Sequence, residues 1–549
     1  MRLLKALGAF FLIVCISCSK SSEEKKYNTQ IFENKAEPVI IGVLPEESPR
    51  VIYEKLYPLK NFISNTLQKP VNIEIAKDFK DLEKRIKEEK IHLLIVDPAT
   101  YCELKWKMKN KIFPLIKPEG GIAETRSVFV TKEDKKIEKI FDSLGKKLAL
   151  GEEKSSFSYL IPLSMLRDVD ISIKDFKSVD MLGKEQRIAL SILIGDHDIG
   201  AMSEITANKY TKDGLKIIRY SEPTPRYLIA YLNTLKNEDV EKIKNAILHK
   251  ANKEIHESMG VEKFVPAEDR DFDYIRVIIR NLKGIDYIEY GPKTVKVAIL
   301  PLYSPLTIYN RYDPLMRYLS EKTGYEFKLV IPKNFEEFIQ IVSEGKVNFS
   351  YQNPYVFSII SKKYPLKPLA ITVGEDCAKD EGICGGEKFR GVIITRKESN
   401  INKVEDLKGK RIMIVSPTSA GGYLSQKLYL EKKGFNLNRD FKLIDAKRQE
   451  KVIIGVYRGE ADAGFVREAA LSVWANEVDI SKIKILDYGE YLPNWTFAAV
   501  NNKNNPELIK TVKKLITELK DREILNKAKI KAFKEATDED LAILKKLGS

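Results

Sequence analysis

Two hydroxyl- and glycine-rich stretches carry the clearest chemistry in this chain. Ser416-Pro417-Thr418-Ser419-Ala420-Gly421-Gly422 lies between a strand-like run at 411–415 and a helical run at 423–433. A helix start leaves backbone N–H groups unpaired and carries partial positive charge. Hydroxyls add donors there, and glycine lets an anion approach. Lys154-Ser155-Ser156-Phe157-Ser158, ahead of a helical run at 159–166, offers similar donors but has Phe157 where the other stretch has Gly421. Plain helix capping by the serines is the alternative reading of both. No lysine follows the glycines in nucleotide P-loop spacing.

Each stretch comes with an arginine and a group of acids. Arg126 and Arg390 each precede a strand candidate. A guanidinium at a cleft edge grips an oxyanion bidentately, or else pairs with a nearby carboxylate such as Glu124. Gly195-Asp196-His197-Asp198-Ile199-Gly200 is followed by Glu204, and Gly459-Glu460-Ala461-Asp462-Ala463-Gly464 by Glu468. Paired acids serve as general acid and base only beside a nucleophile or metal. The four histidines are scattered without metal-ligand spacing. The expectation is a binding protein, not an enzyme, with no cofactor and no metal. Asp198 and Asp462 read as turn caps, Glu204 and Glu468 as ligand contacts.

These features come in pairs. Arg126 and Arg390, Ser155 and Ser419, and Asp198 and Asp462 are each 264 residues apart. Upstream, Val43-Leu44-Pro45, Ser48-Pro49, Tyr53 and Pro58-Leu59 recur as Ile299-Leu300-Pro301, Ser304-Pro305, Tyr309 and Pro314-Leu315 at a spacing of 256. Asp97-Pro98 and Asn353-Pro354 keep that spacing. A period this long exceeds solenoid repeats of roughly 20–50 residues, so each copy is a whole domain.

The elements that must hold these residues follow an α/β pattern. Apolar runs at 39–43, 71–75 and 91–96 alternate with helical periodicity at 53–67 and 79–88. The second copy repeats this with strands at 295–300, 326–330 and 347–351 and helices at 312–323 and 335–344. Strand–helix–strand alternation predicts sheets with crossover helices. A second α/β unit follows in each copy, with strands at 128–131 and 148–150, then at 392–395 and 411–415. Two lobes per copy predict a clamshell whose ligand sits beyond the carboxyl ends of strands.

Residues 1–17 read as a lipoprotein-type signal peptide. Arg2 and Lys5 precede a short apolar run, and Ser17 is the small residue before Cys18, the expected lipidation site. Val14 before Cys15 does not fit that role, and an ordinary cleaved secretory signal is the alternative. Polar residues 18–37 read as a tether. The two copies then take 38–290 and 291–549, divided at a Gly/Pro joint near 289–294. Cys377 and Cys384 are a candidate disulfide in an exported protein. Cys102 reads as buried.

The net charge of +15 on 549 residues comes from dispersed lysines. It reads as a solvated surface or as a field that attracts anions. No basic tract interleaved with aromatics argues for nucleic acid.

Stretches 312–319, 345–351, 404–410, 419–423 and 459–464 resemble the phosphate/phosphite/phosphonate-type periplasmic substrate-binding proteins of ABC importers. That resemblance implies two tandem type II, transferrin-like binding-protein domains, each a two-lobed clamshell with a hinge. The family's Ser-Thr-Ser-Gly anion turn maps onto Ser419-Ala420-Gly421-Gly422 and onto Ser155-Ser156-Phe157-Ser158. Its aromatic maps onto Phe335 and Phe79, its histidine near Gln449 and Glu185, and its glutamate close to Glu468 and Glu204. Its tyrosine maps near Phe389-Arg390 and Thr125-Arg126, and Tyr351 closes the 345–351 stretch. The implied function is hinge closure around a small oxyanionic solute, outside the inner membrane, on a lipid-anchored chain that hands its ligand to a permease. The expected alternative is a sensor feeding a partner histidine kinase. An enzyme on this scaffold, or a first copy that has lost its ligand because of Phe157, are further alternatives.

Overall fold

The structure, a computed structural model, describes residues 37–169, 171–374, 386, 388–473, 478–500, 505–537, 540 and 542. Cys18, Cys377 and Cys384 lie outside them, so the lipidation and disulfide expectations do too.

The apolar runs read as strands form strands: Val39–Val43 is buried along its length, whereas Val71–Ile75, at the sheet edge, exposes Asn72. In the first copy, six strands run in the order Lys263–Pro266, Ile112–Glu119, Leu228–Leu232, Leu93–Val96, Val39–Val43, Val71–Ile75. In the second the order is Ile530–Glu535, Leu366–Gly374, Thr496–Val500, Phe349–Gln352, Thr294–Ile299, Glu326–Val330. Position by position this is the same sheet. The second lobes match equally well. Strands Leu215–Tyr220, Ser127–Lys132, Ile199–Ser203, Lys147–Gly151 and Ser178–Gly183 correspond to Ile483–Tyr488, Gly391–Arg396, Ala463–Arg467, Arg411–Ile414 and Lys442–Asp445. Two short ribbons cross between lobes: Glu124–Thr125 with Thr224–Pro225, and Lys388–Phe389 with Leu492–Pro493. Each copy is a type II α/β clamshell with its hinge strands.

Two predicted helices begin earlier than their periodicity suggested. Pro49–Leu67 starts behind the Ser48 cap and Pro305–Thr323 behind the Ser304 cap, each with proline in its first turn. Proline costs nothing there because the N–H it lacks has no helical partner. The runs at 159–166 and 423–433 also differ from a plain helix. Each opens with a wide π turn, Ser156–Leu160 and Ala420–Leu424, closed by Leu160 N–H to Ser155 O and Leu424 N–H to Ser419 O, both 3.0 Å. π turns concentrate at functional positions.

No described strand pair crosses residue 290. Helix Asp273–Lys283 closes the first copy and packs on Pro305–Thr323 of the second. Its Arg276, 2% exposed, is held by Asp269 and Asp273 at 2.6 Å each. Across the joint, Arg270 pairs with Asp313 at 2.9 Å and Arg317 with Glu268 at 3.0 Å. Among the described residues no helix is long and apolar enough to cross a membrane.

Candidate functional site

The clefts of the two copies differ in the charge of their equivalent side chains. Between the lobes of the second copy is a cavity of about 750 Å³. Its first-lobe wall presents Leu302, Tyr303, Arg311, Lys333, Phe335, Tyr351 and Thr372. Its second-lobe wall presents Ser416, Thr418, Arg448, Gln449, Glu450 and Arg467, and the hinge adds Asn494 and Trp495. Among the described residues, seven basic side chains line it against two acidic ones, Glu336 and Glu450. Basic residues converging on a cleft with low-dielectric walls focus a positive potential, the physical requirement for holding an anion.

The cations are held in place. The Arg311 guanidinium lies 4.1 Å from the centre of the Tyr303 ring, and that of Arg467 lies 4.5 Å from the centre of Phe389. Stacking fixes a planar guanidinium while leaving its edge for hydrogen bonding. Tyr351 is 3% exposed and bonds Thr372 Oγ1 at 2.7 Å. Burial pushes its phenol up to about 12, so it remains a neutral donor.

Three predicted ligand residues line this cavity: Phe335, Tyr351 and Gln449. Gln449 spends its carbonyl oxygen on the backbone N–H of Arg467 at 2.9 Å, as Glu185 does on Ser203 N–H in the first copy. Ser419 is a buried N-cap whose hydroxyl accepts from Gly422 N–H at 3.0 Å. Removing that cap by Ser419→Ala should cost about 1 kcal/mol in chemical denaturation. Gly421 and Gly422 stand behind the wall. A Cβ on Gly421 would come within 2.8 Å of Arg467 Cβ, so glycine is what seats the helix start against that arginine. Ser416 and Thr418, earlier in the same turn, face the cavity.

Arg390 and Glu468 do not line the cavity; they are bonded to each other at 2.8 Å, with Arg390 stacked 3.8 Å from the centre of the Tyr488 ring. Arg126 and Glu204 pair likewise at 3.4 Å. The antiparallel pairing of Gly391 with Arg467 and of Ser127 with Ser203 sets each arginine beside its acid. In both copies this ion pair sits beside a hinge ribbon, the carboxylate alternative left open by the sequence. No local motif marks Arg311, Lys333, Arg448, Arg467 or Trp495 as cavity residues. The repeat offered one signal, since Arg311 answers Lys55 at the 256 spacing and Arg448 answers Lys184 at 264.

Glu450 is buried, lines the cavity and lies 3.8 Å from Arg448. Burial raises its carboxyl from 4.5 to about 7, partly offset by Arg448 and reinforced by Asp168. Its folded pKa is the higher one, so folding takes up a proton between those values. Its stabilising contribution is therefore complete at low pH and declines as pH rises from about 4.5 through about 7. Glu450→Gln should flatten that part of the thermal-midpoint profile. An unchanged profile would show that another group is responsible.

In the first copy a cavity of about 70 Å³ lies against the first lobe and hinge, at positions equivalent to that part of the larger cavity, and it borders Glu46, Glu47, Lys55 and Arg226. Its lobes are joined by its own side chains. Asp97, at the end of a first-lobe strand, accepts from Ser156 N–H at 3.1 Å and Ser156 Oγ at 2.6 Å, while capping Thr100 N–H at 2.9 Å. Lys154 bonds Glu103 at 2.8 Å and lies 3.4 Å from the centre of the Phe79 ring. The corresponding second-copy residues are Asn353 with Ala420, and Thr418 with Ile359. Glu46, Asp97 and Glu185 likewise correspond to neutral Leu302, Asn353 and Gln449. Ser155 caps its own turn through Ser158 N–H at 3.2 Å.

Among the described residues no cluster of histidine, cysteine or acids could hold a metal, and Cys102 is a buried free thiol.

A family profile described as an ABC transporter, phosphonate, periplasmic substrate-binding protein matches residues 41–272 and again 297–541. The phosphate-import protein PhnD of Mycolicibacterium smegmatis is 22% identical over 255 residues, covering 44% of this chain and 75% of that protein. The tetrathionate sensor histidine kinase TtrS of Salmonella typhimurium is 28% identical over 150 residues, 27% of this chain and 25% of the kinase. PhnD1 of Prochlorococcus marinus, solved with methylphosphonate, superposes with a TM-score of 0.42 at 17% identity, over 45% of this chain and 99% of that one.

Proposed function

This chain belongs to the periplasmic substrate-binding proteins of phosphonate ABC transporters, and we propose that its second copy is the solute receptor, closing on one small oxyanion without bond chemistry. The observation that carries this reading is the excess of basic over acidic side chains among the described residues around the second cleft. Phosphate-, phosphite- and phosphonate-like anions suit it. A tetrahedral oxyanion offers several acceptors, and Arg311, Arg467, Tyr351 and the turn hydroxyls are donors placed on both lobes. Hinge closure then brings the two walls together and expels water. Ser419, Gly421 and Gly422 build the second-lobe wall in this proposal. The Arg390–Glu468 pair steadies the hinge.

The first copy is proposed to be closed on itself. The Asp97 carboxylate occupies the donors of the Ser155–Ser156 turn, where an anion would otherwise sit. The chain is proposed to be exported by residues 1–17 and lipid-anchored at Cys18, with division at 38–290 and 291–549. It faces the periplasm or cell exterior and hands its solute to a permease. A second reading, ligand sensing for a partner histidine kinase, draws on the resemblance of part of the chain to TtrS.

The test is thermal unfolding of the chain from Ser19 onward with phosphate, phosphite, methylphosphonate, sulfate, thiosulfate and tetrathionate, beside cationic and neutral controls. A ligand at about 100 times its Kd adds about 2.7 kcal/mol, an easily seen shift. Shifts for cationic or neutral solutes alone would overturn the anion assignment.

A further inference from the structure

Arg167 belongs to the first copy but lines the cavity of the second. It sits in the last turn of helix Ile161–Asp168, in the first copy's second lobe. Its guanidinium donates to the carbonyl of Asn281, at the end of the helix that joins the copies. The next residue, Asp168, has its carbonyl taken by Arg448, which stands on the second-lobe wall of the same cavity. The Asp168 carboxyl meets Ser304, the cap of the first long helix of the second copy's other lobe. One helix end of the first copy thus touches both lobes of the second at the cavity's edge.

The internal repeat makes this arrangement specific. The residue equivalent to Arg167 in the second copy is Glu431 and that equivalent to Asp168 is Lys432, a reversal of both charges. Glu431 pairs locally with Lys427 at 3.8 Å. An arginine stands at this place only where the helix end abuts the neighbouring cleft.

We infer that Arg167 is a ligand-binding residue of the second copy, so that the oxyanion site is composite and is completed by the first copy. Resting on the reading of the second cleft as the anion receptor, this gives the self-closed first copy a role: it is the rigid mount for one of the site's cations. Its charge strengthens the field at the mouth beside Lys333 and Arg448, and the ligand's outward oxygens meet it on closure.

The test uses the full exported chain and calorimetric titration with inorganic phosphate and with methylphosphonate at low and moderate salt. Arg167→Gln should weaken binding of whichever anion binds about tenfold, Arg167→Glu more, and both should lessen its salt dependence. Arg167→Lys, which keeps the charge and loses the planar fork, should recover most of the affinity. Equal affinity for the original chain and Arg167→Gln would overturn this inference and leave the second-copy receptor standing. Equal losses in the Lys and Gln variants, with the same fall in unliganded melting temperature, would make Arg167 a structural brace and overturn it as well. No binding of either anion by the original chain, with a response to sulfate, thiosulfate or tetrathionate, would move the comparison to that anion. Silence to all of them would overturn the receptor reading and this inference together.

Discussion

Replacing Arg311 and Arg467 together by alanine is expected to weaken oxyanion binding at least about a hundredfold. A hydrogen bond to a charged group contributes about 1.5–3 kcal/mol, and each 1.4 kcal/mol is about tenfold in affinity. The two arginines stand on opposite lobes and line the same cavity, so each removes contacts the other cannot replace. Stacking on Tyr303 and Phe389 fixes both guanidiniums before the ligand arrives, which keeps the ordering cost low. The control is Arg126→Ala, which makes one of the same charge changes at the first copy's hinge pair with Glu204. It should leave affinity within about threefold, because surface ion pairs contribute about 0–1 kcal/mol. An Arg311/Arg467 variant that still binds as the original chain does would place the anion elsewhere.

Asp97→Ala should destabilise the first copy by about 3 kcal/mol in denaturant unfolding. The side chain serves Thr100 N–H, Ser156 N–H and Ser156 Oγ at once. Losing a helix cap costs about 0.5–2 kcal/mol, and losing the charged hydrogen bonds to a fully buried hydroxyl adds about as much again. A chain with two domains need not unfold in one step, so the readout is the transition that moves. The loss should be coupled to Ser156: in a double-mutant cycle, Asp97→Ala should cost much less once Ser156→Ala is present. Additive effects would mean that Asp97 is a cap and nothing more. The variant should also regain stability in phosphate, since the vacated turn then offers its donors to an outside anion.

The sequence made the fold legible because the repeat checks itself. An apolar run with Leu44-Pro45 at its end is ambiguous alone, but its echo at Leu300-Pro301 with matching helices on both sides fixes the α/β order. The observed sheets then share strand order in both copies. The lining of the cavity was legible only in part. Phe335, Tyr351 and Gln449 reach the cavity, whereas Ser419 and Gly422 support its wall from behind. The serine turn was read from local chemistry, and local chemistry does not say which members of a turn face a neighbouring lobe. Arg390 and Glu468 were both singled out for an anion. They satisfy each other because strand register sets them side by side, a relation that no linear spacing displays.

The cationic lining was missed for a related reason. Arg167, Arg311, Arg448 and Arg467 come from three lobes and are far apart in the chain, and among so many dispersed basic residues none stands out by composition. The latch of the first copy was equally hidden. Phe157 drew suspicion as the residue that replaces Gly421. The observed difference lies instead in Asp97 and Ser156, which meet only when the lobes are packed together. Comparing equivalent positions for charge would have pointed to it: Glu46, Asp97 and Glu185 against Leu302, Asn353 and Gln449.

Calorimetric titration of the exported chain with the anion that most raises its melting temperature tests the central claim most directly. One solute per chain is predicted, with binding abolished by the Arg311/Arg467 double variant and retained when Ser156 is replaced by alanine. Two solutes per chain, or binding that survives the arginine changes and disappears with Ser156, would place the receptor in the first copy and contradict the account.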